Sequence, residues 1–305
     1  MGIRRERGPS ARPALAPPPN LMRRFRFEGS IMSTECGFVE VPGGRIYFER
    51  SGTGPPLVWI HAAIADCRMW NREFVDYARQ YTVVRYDLRG LGRSTAAAAP
   101  YSDLTDLVAV LDKLSIHRST VIGCSNGGRI AIDLAIDQPE RVDRLVLVAP
   151  GLGGLAPSGD AEEDAAFQRA EERFGPIMAA YQSGEKEVAL EQLREVWCSA
   201  QQGQSLKLVR EMLRDNLTEV FTDTSARHSM PLDPPAATRL ESVTAPTLLL
   251  LGEEDAEQMR YVVARIARGI RGSVREVIPG ADHLVNMSRP REFDRALREF
   301  LPRLE

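Results

Sequence analysis

The stretch GCSNGGR, residues 123–129, sets one serine among glycines at 123, 127 and 128. Glycine weakens strands and helices, so it gathers where a backbone position needs it. An apolar run, STVI at 119–122, precedes this serine, and a helix-like run from Ile130 follows it. A strand that turns sharply into a helix holds a serine in a strained, positive-φ backbone with its hydroxyl lifted clear of the chain. In so tight a turn, side chains at Gly123 and Gly127 would collide with neighbouring chain, and the N–H of Asn126 falls at the start of the helix. The chemistry that suits this arrangement is nucleophilic attack by Ser125.

A neutral hydroxyl is a poor nucleophile. It needs a base within hydrogen-bond reach, and the base needs an orienting acid. The chain has 4 histidines, so the search is short. His283 lies in PGADHLVN, between the last strand-like run and the final helix-like run, and is the expected base. GEED at 252–255 follows the apolar run TLLLL and offers Glu253, Glu254 and Asp255; Asp255 lies furthest past the strand end and is the expected acid. The run ending at Val148 leads into APGLGG, which carries no carboxylate. His61 reads as an imidazole pinning the loop that follows it, His117 as a surface residue, and His228 as solvated or structural. DLRGLGRS at 87–94 fits neither G-x-G-x-x-G nor the P-loop spacing, so it reads as a tight loop with Asp87 and Arg89 in local hydrogen bonds. Cys124 reads as a small packed residue, and Trp70 as covering the core or a pocket rim.

The elements that must position these residues alternate. GFVEV (37–41), PGG (42–44) and RIYFER (45–50) read as a hairpin. LVWIH (57–61), YTVVRY (81–86), STVI (119–122), LVLV (145–148), TLLLL (247–251) and residues 274–278 are short apolar runs of the kind buried on both faces of a parallel sheet. Helical spacing occupies 102–115, 130–136 and the stripe Met259, Val262, Val263, Ile266. A final helix is expected with Ser288 as its cap, Pro290 in its first turn, and Phe293, Leu297 and Leu301 facing inward. Strands alternating with helices predict an α/β fold with a mostly parallel sheet covered on both faces. Residues 151–240 break the rhythm with charged, helix-like segments at 160–174, 185–199 and 204–221. The expected organisation is a core of residues 34–150 and 241–305 with a helical cap at 151–240, roofing the carboxyl ends of the strands where ligands bind in open sheets.

Composition bounds the partners. The 305 residues are 43% hydrophobic with a formal net charge of −3, which gives no reason to expect nucleic acid. No apolar run approaches the roughly 20 residues that span a bilayer. Residues 1–30 hold seven arginines against two glutamates and several prolines, so residues 1–33 read as a disordered basic arm, in keeping with an upstream extension of the coding region since Met32 opens a more regular stretch. A transit peptide and a nucleic-acid arm are the alternatives there. The cysteines at 36, 67, 124 and 198 form no CxxC pair, which suggests neither zinc site nor disulfide framework; with no export signal, a cytoplasmic location is expected.

With these residues in place the chain resembles the α/β-hydrolase superfamily. The resemblance rests on HAAIADCRMW (61–70), YDLRGLGRS (86–94), GCSNGG (123–128), QPERV (138–142), GEED (252–255) and GADH (280–283), in the family's order, over about residues 37–305. It implies the α/β-hydrolase fold with a triad of Ser125, Asp255 and His283, and an oxyanion hole formed by backbone N–H groups. One donor is Asn126; the second comes from the loop after the 57–61 strand, with Ala63 the best donor and Ala62 the fallback. The closest flavour is that of 3-oxoadipate enol-lactonases, small carboxylesterases and related ring- or carbon–carbon-bond hydrolases. Three positions depart from it: Ala62 stands where glycine is usual, Asn126 where methionine is common, and Cys124 where carbon–carbon hydrolases often carry asparagine. A serine nucleophile separates the chain from the aspartate-based haloalkane dehalogenases and epoxide hydrolases.

The expected function is therefore a serine hydrolase that cleaves a small carboxylic ester or lactone through an acyl-enzyme, with no cofactor and no metal. The alternatives are a carbon–carbon hydrolase or perhydrolase on the same fold, or a ligand-sensing protein with little turnover. Arg169, Arg173, Arg194, Arg210, Arg214 and Arg227 are cap cations able in principle to grip a substrate carboxylate, though each reads first as a surface residue.

Overall fold

The computed structural model describes residues 21–27, 30–97, 99–221 and 229–302. Among these described residues nine strands form one sheet: β1 (Leu21–Phe27), β2 (Ser30–Val41), β3 (Gly44–Ser51), β4 (Pro56–Ile60), β5 (Thr82–Tyr86), β6 (Ser119–Cys124), β7 (Val142–Val148), β8 (Thr247–Gly252) and β9 (Val274–Ile278). Their order is β1-β2-β3-β5-β4-β6-β7-β8-β9. The first three pair antiparallel and β3 joins β5 antiparallel, while β5, β4, β6, β7, β8 and β9 run parallel. The β2–β3 hairpin closes at Pro42–Gly43, where Gly43 takes φ +75°.

The parallel strands alternate between two apolar layers, as a pleat with a side-chain period of two requires. Val58, Ile60, Val84, Val121, Leu145, Leu147, Leu249 and Leu251 face one layer with α2 (Asp103–Lys113), α3 (Asn126–Asp137) and α7 (Gln258–Gly269). Leu57, Trp59, Val83, Ile122, Val146, Val148, Leu248 and Leu250 face the other with α1 (Asn71–Tyr77) and α9 (Pro290–Phe300). Between β7 and β8 lie α4 (Ala161–Gln182), α5 (Lys186–Trp197) and α6 (Gly203–Phe221). Leu190 and Leu193 of α5, and Val209, Met212 and Leu213 of α6, join the second layer, so these helices pack directly over that face. Trp70 is core: it is fully buried against Trp59 and Phe293, at ring distances of 4.9 and 6.1 Å.

Three expectations need correction. Residues 21–27 and 30–33, read as part of a disordered arm, are strand. Without residues 21–27 the outer edge of β2 would present unpaired backbone groups, and LMRRFRF, with two phenylalanines, supplies the segment that pairs with it; residues 1–20 lie outside the described residues, as do His228 and Arg227. The first helix of the insertion does not stop at 174 but runs through Pro176, because burial of Ile177 and Ala180 outweighs the backbone bond that proline removes. A short helix, α8 (Val285–Ser288), precedes the final helix α9. Pro290 does open α9, but Ser288 does not cap it: its hydroxyl accepts from Asp282 N and donates to Leu284 O.

Candidate active site

Ser125 stands between β6 and α3 with φ 54° and ψ −116°, a conformation an L-residue adopts only under constraint. The constraint is visible in the bonds around it. Ser125 N donates to Val148 O at 3.0 Å, and Ser125 O accepts from Arg129 N at 3.1 Å and Gly151 N at 2.8 Å. The flanking glycines permit the turn. A Cβ on Gly123 would lie 2.2 Å from Gly127 O, and one on Gly127 would lie 2.3 Å from Ile60 O, both well inside contact distance with backbone atoms. Asn126 is the first residue of α3, where N–H groups lack intrahelical partners; its side-chain Oδ1 accepts from Arg129 Nε at 2.8 Å.

His283 and Asp255 meet although 28 residues separate them. Both carboxylate oxygens lie 3.0 Å from His283 Nδ1, and both side chains are buried. Asp255 is also held by Ala256 N, 2.7 Å from Oδ1. A carboxylate at Nδ1 selects the tautomer with the proton there, which leaves Nε2 free to accept a proton. Glu253 and Glu254 are exposed; Glu253 instead accepts Gly280 N at 2.9 Å and Glu254 N donates to Ala281 O, so both brace the same loop from outside. The histidine loop touches the serine strand through Cys124, whose thiol lies 3.7 Å from His283 O. Cys124 is fully buried, and burial pushes its thiol well above the ordinary range, as expected of a packed rather than reactive cysteine.

The loop after β4 separates its two candidate donors. Ala62 N is directed to Met69 Sδ at 3.4 Å, whereas Ala63 is partly exposed. His61 is fully buried between Ala62 O, 2.8 Å from its Nδ1, and Leu88 N, which donates to its Nε2 at 2.8 Å. It therefore carries its proton on Nδ1 and ties the 87–94 loop to the loop after β4. In that loop Asp87 accepts from Cys67 N and Arg93 N, and Arg89 pairs with Asp106 and donates to Pro42 O. Asp66, Cys67 and Asp87 bring potential ligand atoms within 4.8 Å of one another, but the Asp66 oxygens accept from Arg68 and Asn216, and those of Asp87 from backbone N–H groups. His117 is exposed.

Of the arginines in the insertion, Arg169 pairs with Glu257, Arg194 and Arg210 with Glu191, and Arg214 with Glu187. They serve surface ion pairs. Sequence reasoning missed what the insertion brings to the histidine. The Trp197 ring lies 4.4 Å from that of His283, and Trp197 O accepts His283 N at 3.2 Å. Gln201 and Ala200 engage Asp282. The tryptophan at the end of an amphipathic segment was the available signal, but nothing in the spacing tied it to residue 283. Among the described residues, no helix is long and apolar enough to cross a membrane.

Comparison with known proteins agrees with this architecture. An uncharacterized protein of Mycobacterium tuberculosis, Rv2715, is 38% identical over 120 residues, covering 37% of this chain and 34% of that protein's length. The structure of Est816, described as an N-acyl homoserine lactone degrading enzyme, is 29% identical with a TM-score of 0.66, covering 87% of this chain and 100% of the other. The enol-lactonase of Burkholderia xenovorans LB400 shares the fold at a TM-score of 0.70 and 19% identity, covering 86% of this chain and 98% of the other. The model of the alpha/beta hydrolase family matches residues 57–296, the span that carries the parallel strands, the serine turn and the histidine loop, and the chain belongs to that family.

Proposed function

We propose that this chain is a serine hydrolase that cleaves small carboxylic esters or lactones through an acyl-enzyme. The observation that carries the reading is the buried Asp255–His283 pair, at 3.0 Å, whose histidine lies on a loop that touches Cys124, the residue before the strained Ser125. The likeness to the lactone-degrading Est816 supports the substrate class.

In this reading His283 Nε2 takes the Ser125 hydroxyl proton as Oγ attacks the carbonyl carbon. The resulting oxyanion is met by the N–H groups of Ala63 and Asn126; the engagement of Ala62 N with Met69 Sδ favours Ala63 over Ala62. Losing one such donor costs about 3–4 kcal/mol of transition-state stabilisation. The tetrahedral intermediate collapses, and the imidazolium returns its proton to the leaving alkoxide, which departs as an alcohol or stays tethered when the substrate is a lactone. Water, deprotonated by Nε2, then attacks the acyl-serine and releases the acid. Asp255 stays ionised throughout, holding the Nδ1–H tautomer and stabilising the imidazolium. The helices α4–α6 act as the cap, and Trp197 shields the imidazole from water.

Two measurements test this. The wild-type protein is expected to be labelled by a fluorophosphonate and to turn over p-nitrophenyl acetate. Ser125→Ala is expected to abolish labelling and lower kcat by about 10³-fold or more with an unchanged circular dichroism spectrum. Turnover that survives Ser125→Ala removes the serine from the mechanism. A panel of acyl esters and lactones then ranks substrates by kcat/KM.

A further inference from the structure

The contact between the cap and the histidine loop is built around a buried carboxylate that the proposed chemistry does not use. Asp282 is fully buried, one residue before His283. Gln201 Nε2 donates to Oδ1 at 2.8 Å and to Oδ2 at 3.0 Å; Ala200 N donates to Oδ2 at 3.1 Å, and Leu284 N to Oδ1 at 3.1 Å. Gln201 Nε2 also lies 3.4 Å from Leu284 O. Gln201 is itself buried, 3% exposed. Four residues earlier Trp197 accepts the His283 N–H and packs on its ring. Residues 197–201 join α5 to α6, so the turn of the cap and the loop that carries the imidazole are bonded residue for residue.

A carboxylate in such a place is expensive. Burial pushes it up to about 6, against the opposing pull of Gln201, Ser288 and the N–H groups of Ala200 and Leu284. The neighbouring ionisable groups are Asp255, paired with His283, and the thiols of Cys124 and Cys198, both raised by burial. A neutral residue would pack there without this penalty. What the carboxylate adds is two acceptor oxygens that bind the cap turn and the histidine loop together.

Resting on the hydrolase reading above, we infer that Asp282 is a positioning residue: through Gln201 and Ala200 it latches the cap turn onto the histidine loop, and the latch holds the His283 imidazole in register with Ser125. The cap is then part of the catalytic geometry as well as a roof. Loosening the latch slows turnover even where substrate still binds.

A charge exchange across the latch tests this at pH 8.5. Gln201→Glu sets two carboxylates against each other. It is expected to lower kcat on p-nitrophenyl acetate at least 30-fold while KM changes less than threefold, and to speed amide hydrogen exchange at both 197–201 and 282–284. Adding Asp282→Asn returns a complementary amide–carboxylate pair in the opposite sense. The double variant is expected to recover kcat to within about fivefold of wild type and to restore slow exchange. A Gln201→Glu protein with kcat within twofold of wild type overturns the latch, and so does a double variant no faster than Gln201→Glu alone. If the wild-type protein has no serine-dependent turnover, the hydrolase reading fails instead; the exchange data then decide the latch separately, and unchanged protection in Gln201→Glu overturns it.

Discussion

Three carboxylates stand in a row at 253–255, and the last of them faces the imidazole. Glu253 and Glu254 are exposed, while Asp255 places both oxygens 3.0 Å from His283 Nδ1. The difference is one of position along the chain. Gly252 cannot carry a side chain, since a Cβ there would lie 2.3 Å from Ala281 O and Asp282 O, so the histidine loop passes directly over the end of β8 and its side chain meets the residue three places on. Asp255→Asn keeps the shape but offers an amide N–H to Nδ1, which favours the tautomer with its proton on Nε2. It is expected to lower kcat by about 10³–10⁴-fold. Glu254→Gln should stay within twofold of wild type. Equal losses in both variants, measured on the same ester, would remove Asp255 from the role of orienting acid. Which of the three meets the imidazole was legible in the sequence because it depended on distance past a strand end. The contact between Asp282 and Gln201 was not, because they lie 81 residues apart and no spacing or motif joins them.

At the scale of elements, legibility followed burial. The strands from β4 to β8 are covered on both faces, so each reads as an unbroken apolar run, and the alternation of two layers follows from the pleat. The insertion read as charged, helix-like segments, and its first segment ended too early, at 174, because tertiary packing rather than local propensity carries α4 on past Pro176. The pairing of Leu21–Phe27 with β2 was hidden for a related reason: an arginine-rich edge segment lacks the composition of a core strand. The serine turn was legible in the glycines, and the structure gives that need a packing cause. The start of α3 sits on the end of β4, with the Gly127 position 2.3 Å from Ile60 O and 2.8 Å from His61 O for any added Cβ. Gly127→Ala must push helix from strand. It is expected to destabilise the fold by about 3 kcal/mol or more, lowering Tm by roughly 5 °C or more. Ser125→Ala adds no atoms and should leave Tm within a few degrees. A Gly127→Ala protein as stable as wild type would mean that α3 and β4 can separate freely, and the tight turn would lose its explanation.

For the molecule as a whole, the buried carboxyls set a pH dependence of stability. Burial pushes Glu73 up to about 7 and Asp133 and Asp282 up to about 6. The folded state therefore binds protons that the unfolded chain releases, so stability from these groups is fully present at low pH and falls as pH rises through their folded values. Glu49 and Asp66 oppose this: burial raises each, but the combined pull of Arg85, Tyr47 and Arg93 on the first, and of Arg68, Asn216 and His61 on the second, outweighs it and holds them low, so their contribution is lost on acidification. Glu73 gives the cleanest test. It lies in α1, and Asn286 of α8 donates to it at 3.3 Å while also donating to Met69 O at 2.9 Å, so the group joins three separate parts of the chain. Glu73 Oε1 and Asn286 Oδ1 have no hydrogen-bond partner among the described residues, an arrangement better suited to a neutral donor than to a carboxylate. Glu73→Gln is neutral at every pH and keeps the shape. Moving from the ordinary 4.5 to about 7 corresponds to a penalty on the order of 3 kcal/mol once Glu73 is ionised in the folded state. Wild type and Glu73→Gln should then be within about 1 kcal/mol of each other at pH 5, and the variant more stable by up to about 3 kcal/mol at pH 8.5. Urea unfolding at the two pH values reads this difference, and a gap between the proteins that does not widen with pH would show that Glu73 ionises in the folded state as readily as in the unfolded chain.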